Sequence, residues 1–257
     1  LRPVIGLLDL KASGVPEVLK SINSRIDQTM LKHDKDIDEY LRFAEESDKY
    51  SFRALVVPST VVHHITPVVR TSVAGVAGFP YGYHPVSAKV KEIELIGSAG
   101  GKEVDVVLNI VNVKSKRFEE VDAEVRELVE SARSVGLGIK IIVETSALTD
   151  EELARVCEIL LRHRPDFIKT NTGFGSRGVS PRDVVLIKKL VGGELRIKAS
   201  GGVRNAMEAL NLVLLGADVI GTSSGVEIIK DRDRILELIL TQGGNAAPEP
   251  GRGTRSD

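Results

Sequence analysis

The amino-acid sequence predicts an α/β fold, a single (β/α)8 TIM barrel. Eight short runs rich in β-branched residues alternate with longer amphipathic runs almost from end to end of the chain. Eight units of one strand and one helix, in about 220 residues, are what such a barrel requires. A doubly wound open sheet is the alternative, but it rarely has eight strands that are each followed by a helix. In addition, no GxGxxG motif follows the first strand.

The strand-like runs are short and bounded by turn residues. The predicted strands are 24–28, 53–57, 73–78, 103–110, 139–145, 166–170, 195–200 and 218–222.

The runs between the strands have the apolar spacing of helices. The predicted helices are 35–48, 59–70, 85–99, 117–135, 149–163, 180–191, 204–215 and 224–240. Two of them have clear start signals, because Thr149 precedes three acidic residues and Ser180 precedes a proline. An extra helix is expected at 15–23.

The chain has no linker that would divide it into two domains. We therefore expect one barrel domain, which includes the extra helix, over residues 1–242. The remaining segment, 243–257, reads GGNAAPEPGRGTRSD and has almost no apolar content. This segment is predicted to be disordered.

The composition argues against several classes of partner. The formal net charge of −1 gives no basic stripe for nucleic acid, and no apolar run approaches the ~20 residues that cross a bilayer. The chain has one cysteine, Cys157, at an apolar helical position, and no pattern of a secretory signal. We expect a cytoplasmic protein that binds neither nucleic acid nor membrane.

The alternation of side chains along each strand predicts a charged barrel interior. Successive strand residues point to opposite faces, so the apolar set in each strand would pack under the helices and the other set would face inward. This places Asp105, Lys140, Lys169 and Lys198, from four neighbouring strands, in one enclosed space. A single inward lysine would be explained by snorkelling, but several buried charges together are costly and indicate a functional site.

Two lysines and an aspartate in an enclosed space suit Schiff-base chemistry. Burial and a second cation lower the pKa of a lysine, so that its free amine can attack a carbonyl. A carboxylate such as Asp105 could then shuttle protons. The alternation of side chains does not decide whether Lys169 or Lys198 is the nucleophile.

Glycine-rich loops follow the last three predicted strands. They read NTGFG, ASGGVR and IGTSSG. Loops after strands seven and eight are the usual phosphate site of these barrels, because their backbone N–H groups approach an anion closely. We therefore expect a phosphorylated ligand.

These segments resemble the deoxyribose-phosphate aldolase family of class I, Schiff-base aldolases. The resemblance covers about residues 24–230 and rests on DFIKTNTGF, IKASGGVR and IGTSSG, with IDQTMLK, GFPYG, EVDVVLNI and IIVETSALTDEEL in the same order. It implies reversible cleavage of 2-deoxy-D-ribose 5-phosphate to acetaldehyde and D-glyceraldehyde 3-phosphate, in nucleoside and carbohydrate catabolism. It also implies a homo-oligomer, a dimer or a tetramer, with no cofactor.

The resemblance assigns roles to individual positions. It implies that Lys169 forms the Schiff base, that Lys198 perturbs it and that Asp105 relays protons. Contacts to the sugar-like part of the substrate would come from Asp27, Thr29 and Thr172. The phosphate-binding loops would contribute Gly173, Gly201, Gly202, Gly221, Ser223 and Ser224.

The chain departs from the family pattern at four other positions. Gln28 replaces a common His, and Asn171 replaces a common Ser. Leu55 and Val57 stand where a Cys and an Asn are common. These departures leave the reaction class unchanged and put the finer substrate preference in question.

Three other functions are alternatives to this one. A metal-dependent aldolase would need clustered ligands, and the adjacent pair His63 and His64 would diverge on a helix, so we expect no metal site. A Schiff-base aldolase acting on another sugar phosphate is the second alternative. The order of the motifs disfavours it but does not exclude it. A barrel that only binds a phosphorylated metabolite would explain the glycine loops but not the converging lysines.

Overall fold

Eight parallel strands close into a barrel in the order of the chain. The computed structural model describes residues 14–242, and the last strand pairs with the first. The strands are β1 (Ile26–Thr29), β2 (Ala54–Pro58), β3 (Ser72–Ala77), β4 (Glu103–Val107), β5 (Gly138–Ile142), β6 (Phe167–Lys169), β7 (Arg196–Ser200) and β8 (Val219–Thr222). The predicted (β/α)8 barrel is confirmed.

The helices lie between the strands. They are α1 (Val15–Lys20), α2 (Ile37–Asp48), α3 (Val62–Ile65), α4 (Val86–Ser98), α5 (Ile110–Lys114), α6 (Phe118–Ser134), α7 (Asp150–His163), α8 (Pro181–Val191), α9 (Ala206–Leu214) and α10 (Gly225–Gln242). Short 3-10 turns occur at Ile22–Arg25, Ser59–Val61 and Thr145–Ala147. No helix among residues 14–242 is both long and apolar enough to span a bilayer.

The start signals read from the sequence act as caps. The side chain of Thr149 accepts a hydrogen bond from the backbone N–H of Glu152, whose carboxylate accepts one from the N–H of Thr149. Ser180 and Asp183 form the same reciprocal pair at the start of α8. Each pair satisfies N–H groups that the first turn of a helix leaves without partners.

Several predicted elements are shorter than expected. The helix predicted at 59–70 is a 3-10 turn followed by the single turn α3, because Pro67 has no backbone N–H with which to continue the helix. The strand predicted at 103–110 ends at Val107, since Asn109 caps a short helix by accepting from two backbone N–H groups. The extra helix ends at Lys20, and the predicted disordered tail, 243–257, lies outside the described residues.

The apolar core forms a layer between the strands and the helices. Outward-facing strand residues such as Ile139, Ile141 and Val143 are buried there against the helices that surround the barrel. Leu19 and Ile22 belong to a second apolar cluster, where α1 packs against α9 and α10. Because the apolar set faces outward, the barrel interior is left to the other set of side chains.

Candidate active site

A cluster of seven charged side chains occupies the barrel interior. Its members are Asp27 of β1, Arg53 just before β2, Glu103 and Asp105 of β4, Lys140 of β5, Lys169 of β6 and Lys198 of β7. The four inward-facing charges predicted from strand alternation are therefore brought together. The seven make four cations against three anions when all are ionised, so the cluster is neutral only if one cation loses its proton.

Asp105 lies at the centre of this cluster. Its Oδ2 accepts hydrogen bonds from Lys169 Nζ at 2.9 Å and from Lys198 Nζ at 2.7 Å. Its Oδ1 lies 2.9 Å from Lys140 Nζ, at an angle that does not make a hydrogen bond. Burial opposes ionisation of Asp105, but the three lysines outweigh it and hold its pKa well below the ordinary value.

Lys169 is the cluster member that faces the cavity at the carboxyl ends of the strands. Burial is the largest cause that lowers its pKa, to about 8, and the charges of Lys198 and Lys140 act in the same direction against the attraction of Asp105. Lys140 behaves in the opposite way, because Asp105, Asp27 and Glu103 outweigh its burial and raise its pKa. Lys169 is thus the lysine of this pair whose free amine is accessible near neutral pH.

Asp27 is buried beneath the cavity. Its Oδ2 accepts from Lys198 Nζ at 2.6 Å, and its Oδ1 accepts from Arg53 at 2.6 Å. The side chain is fully shielded from solvent and does not line the cavity. Asp27 therefore lies where it can hold Lys198 in place, whereas the family resemblance implied a contact with the sugar.

The cavity has a volume of about 540 Å³ and lies at the carboxyl ends of β1, β6, β7 and β8. The predicted site residues that line it are Lys169, Thr29, Thr172, Gly173, Gly201, Gly202, Gly221 and Ser223. Ser224 does not line it, and its backbone N–H instead donates to Thr222 Oγ1. Lys32, Lys35 and Arg204 add positive charge to the wall.

Glycine is needed at two of these positions, for different structural reasons. Gly201 has a φ of +102°, in the left-handed region that side chains disfavour, which lets the backbone of its loop turn into the cavity. Gly221 makes room for a catalytic candidate, since a Cβ there would lie 2.8 Å from Ser200 Cβ and 2.9 Å from Lys198 Cε. Gly221 therefore borders both the cavity and Lys198.

Glu144 is a site residue that the sequence reasoning did not select. Its Oε2 accepts from the N–H of Thr172 at 2.9 Å and from Thr172 Oγ1 at 2.6 Å. Its own backbone is left-handed, with a φ of 50°. The alternation of side chains placed Glu144 inward, but nothing in the sequence showed that it would hold the loop after β6.

Arg53 and Phe79 were also missed. Arg53 bonds Asp27 and both oxygens of Glu103, so it anchors the lower part of the cluster. The ring centroid of Phe79 lies 6.0 Å from Lys169 Nζ, and Phe174 packs edge-on against it. The inward position of Glu103 was a signal for a basic partner, whereas the position of Phe79 depends on the fold of the loop after β3.

The departures from the family pattern lie outside the cavity wall. Leu55 and Val57 pack in the outer apolar layer. The Gln28 side chain accepts from the N–H of Gly225 at 2.9 Å, at the start of α10. Asn171 Oδ1 accepts from Thr145 Oγ1 and the N–H of Ser146, and its Nδ2 has no hydrogen-bond partner among the described residues.

No group of three or more His, Cys, Asp or Glu side chains in residues 14–242 has a geometry that could hold a metal ion. His63 and His64 are exposed, as expected. The expectation that they diverge is wrong, because their ring centroids lie 3.8 Å apart.

The known proteins that this chain resembles in sequence share one name. The deoxyribose-phosphate aldolase of Thermococcus kodakarensis is 38% identical over 216 residues, which are 82% of this chain and 96% of the relative. That of Streptococcus sanguinis is 36% identical over 215 residues, 82% of this chain and 97% of the relative. No family model matches the sequence.

Solved structures agree with these relatives. A structure described as QR15, an aldolase, superposes with a TM-score of 0.80 at 34% identity over 86% of this chain and 98% of that one. A tetrameric deoxyribose phosphate aldolase from Aeropyrum pernix gives a TM-score of 0.79 at 30% identity over 91% of this chain and 99% of that one.

Proposed function

The chain belongs to the deoxyribose-phosphate aldolase family, and we propose that it cleaves 2-deoxy-D-ribose 5-phosphate reversibly to D-glyceraldehyde 3-phosphate and acetaldehyde. It is accordingly a lyase. We infer that Lys169 forms the Schiff base, with Lys198 and Asp105 as its partners. The observation that carries this proposal is the position of Lys169, which is the member of the lysine cluster that borders the cavity and has a lowered pKa.

The charge balance of the cluster supports Lys169 as the nucleophile. With four cations against three anions, the buried cluster has one positive charge in excess, and releasing one proton removes it. We infer that Lys169 releases this proton, because burial and the charges of the neighbouring lysines lower its pKa. Lys198 is held instead by hydrogen bonds to two carboxylates, those of Asp27 and Asp105.

The free amine would attack the C1 aldehyde of the open-chain sugar. Loss of water then gives an iminium, which draws the electrons of the C2–C3 bond as the proton leaves the C3 hydroxyl. This step forms glyceraldehyde 3-phosphate and an enamine. Protonation of the enamine at C2 and hydrolysis of the resulting iminium release acetaldehyde and restore the amine of Lys169.

Asp105 and Lys198 are placed to manage the protons of these steps. Because the pKa of Asp105 is well below its ordinary value, this residue stays ionised and pairs with whichever neighbour carries the proton. Lys198 shares Oδ2 of Asp105 with Lys169, so its protonated amine is a proton donor beside the reacting nitrogen, and once it has donated it can take up the proton that a later step releases. We infer that Lys198 carries the proton and that Asp105 positions it.

The substrate phosphate would bind at the far side of the cavity. Gly173, Gly201 and Gly202 present backbone there, and Ser223 adds a hydroxyl. Arg204 and Lys32, which were not selected from the sequence, supply positive charge on the same wall. Thr29 and Thr172 line the same cavity, and we infer that they contact the sugar hydroxyls.

The resemblance also supports a setting for this activity. We infer that the enzyme acts in the cytoplasm as a homo-oligomer, without a metal ion or other cofactor. The single cysteine, Cys157, is buried as a free thiol, and the Aeropyrum pernix relative is a tetramer.

A borohydride trapping experiment tests the proposal. The protein would be incubated with deoxyribose 5-phosphate and reduced, and its mass compared with that of protein reduced without substrate. A stable mass increase, together with release of glyceraldehyde 3-phosphate in a coupled assay, is expected. Turnover without any trapped adduct would contradict the Schiff base, and absence of turnover would contradict the substrate.

A further inference from the structure

A second cavity opens at the amino-terminal end of the barrel, opposite the site of Lys169. It has a volume of about 320 Å³, at the lower end of small-molecule pockets. Residues at or just before the starts of strands line it, among them Arg25, Arg53, Phe167, Arg196 and Asp218. We call it the arginine pocket. The aldolase chemistry makes no use of it, because that chemistry takes place at the other ends of the strands.

The charge of the arginine pocket is positive. Three guanidinium groups line it, and among the described residues Asp218 is the only acidic side chain that does. One carboxylate oxygen of Asp218 is occupied, since Oδ2 accepts from the N–H of Ile197 at 2.8 Å. Like charges held around one concave space repel, and an anion placed between them removes that repulsion.

Two of the three guanidinium groups have unused donors. Arg25 Nη1 makes a long contact of 3.5 Å to the carbonyl of Asp218, and Arg196 Nη2 lies 3.6 Å from Asp166 Oδ1. These are the polar contacts of the two groups within residues 14–242. A guanidinium has five N–H donors, so most of those on Arg25 and Arg196 remain available to a ligand.

Stacking holds one of these groups in a fixed orientation. The guanidinium carbon of Arg196 lies 3.9 Å from the centroid of the Phe167 ring, and that of Arg53 lies 5.2 Å from the same centroid. A stacked guanidinium keeps its N–H edges free while its plane is fixed. This arrangement differs from that of a solvated surface arginine, whose side chain has no preferred direction.

We propose that the arginine pocket binds a small anion that carries a phosphate group. A phosphate suits two guanidinium groups, because each can donate two parallel hydrogen bonds to it and its three or four oxygens can serve both, whereas a carboxylate has two. Ser21 and Ser24 border the same space, but their hydroxyls already donate to the backbone carbonyls of Glu17 and Ser21, so the guanidinium groups are the donors for the anion. The size of the pocket fits one or two phosphate groups better than a peptide.

Arg53 connects the arginine pocket with the ionic cluster. It bonds Asp27 and Glu103, which in turn pair with Lys198 and Lys140. Negative charge placed against Arg53 favours the protonated forms of the lysines, so the bound anion makes the free amine of Lys169 scarcer at neutral pH. This coupling rests on the proposed function, whereas the binding does not.

Binding is tested with inorganic pyrophosphate by titration calorimetry at low ionic strength. The double variant Arg25→Gln/Arg196→Gln should bind one equivalent of pyrophosphate fewer than the unaltered protein, or bind that equivalent at least tenfold more weakly. The matched control Arg42→Gln/Arg126→Gln removes two exposed charges outside the pocket and should bind as the unaltered protein does. Unchanged stoichiometry and affinity in the first variant would overturn the proposal. If that variant fails to fold, Arg25→Gln alone is used, because it leaves the stack on Phe167 intact.

The coupling has a separate readout. At saturating deoxyribose 5-phosphate, pyrophosphate should move the acidic limb of the kcat profile to higher pH in the unaltered enzyme and leave it in place in Arg25→Gln/Arg196→Gln. A shift of the same size in both would assign the effect to the substrate cavity and contradict the coupling. A protein that lacks aldolase turnover but still loses pyrophosphate binding in the variant would contradict the proposed function and support the pocket.

Discussion

Lys169 and Lys198 donate to the same carboxylate oxygen, Oδ2 of Asp105, at 2.9 and 2.7 Å. One oxygen therefore holds two amines that come from neighbouring strands. Only Lys169 borders the cavity, and Lys198 is fully buried behind it. The two amines are close enough to exchange a proton through this oxygen but differ in access to substrate. Three predictions test that difference.

The first prediction concerns the covalent adduct. Lys169→Ala should abolish borohydride trapping of substrate, because the amine of the ionic cluster that borders the cavity is then missing. Mass spectrometry of the digested protein should place the adduct of the unaltered enzyme on the peptide that contains Lys169. Lys189→Ala, at an exposed position on α8, is the control and should trap substrate normally. An adduct on Lys198 would show that the assignment is reversed.

The second prediction concerns pH. The amine of Lys169 reacts when it is unprotonated and its pKa is about 8, so kcat/KM should rise with pH and level off above that value. Lys198→Met removes a cation that lowers this pKa, so the rising limb should move to higher pH and activity at pH 7 should fall at least tenfold. A limb that stays in place would assign Lys198 no electrostatic effect on Lys169.

The alternation of side chains along strands was enough to predict the centre of this cluster. Asp105, Lys140, Lys169 and Lys198 occupy inward positions in four strands, and closing the barrel brings those positions together whatever the loops do. The same rule placed Glu103, Glu144 and Phe167 inward. Fold class and the catalytic candidates were therefore accessible from the sequence.

The sequence did not show how deep each side chain would lie along the barrel axis. Asp27 contacts Lys198 because β1 and β7 both neighbour β8, a relationship set by the pairing of strands far apart in the chain. Arg53 stands just outside its strand, so alternation said nothing about it. Asn109 continues the alternation of side chains along β4. Its side chain, however, accepts hydrogen bonds from the backbone N–H groups of Val111 and Asn112, and this cap of α5 ends the strand two residues earlier, at Val107.

The third prediction concerns the room that Gly221 leaves for Lys198. In Gly221→Ala the added Cβ would overlap Ser200 Cβ and Lys198 Cε, so Lys198 must shift away from Asp105. We expect at least a tenfold loss of kcat and a fall of about 1–3 kcal/mol in the free energy of unfolding. Thermal unfolding and steady-state kinetics measure the two effects. Full activity in this variant would show that the position of Lys198 is not critical.

The fourth prediction concerns metal. Activity should survive prolonged treatment with EDTA, because the iminium on Lys169 withdraws the electrons that a metal ion would otherwise polarise. The coupled assay is run with its auxiliary enzymes checked separately in the same chelator. Complete loss of activity, restored by added zinc, would contradict the Schiff-base mechanism.

The last prediction locates the substrate phosphate. Ser223 lines the cavity beside the loop of Gly201 and Gly202, whereas the neighbouring Ser224 does not line it. Ser223→Asp should raise KM for deoxyribose 5-phosphate by about 10- to 100-fold, since a carboxylate within about 4 Å of a phosphate costs roughly 1–4 kcal/mol near a protein surface. Ser223→Ala, the matched control, removes the hydroxyl without adding charge and should raise KM only a few fold. With deoxyribose, which has no phosphate, the two variants should differ little. An equal rise in KM for both substrates would show that the added carboxylate distorts the loop, and that Ser223 does not face the phosphate.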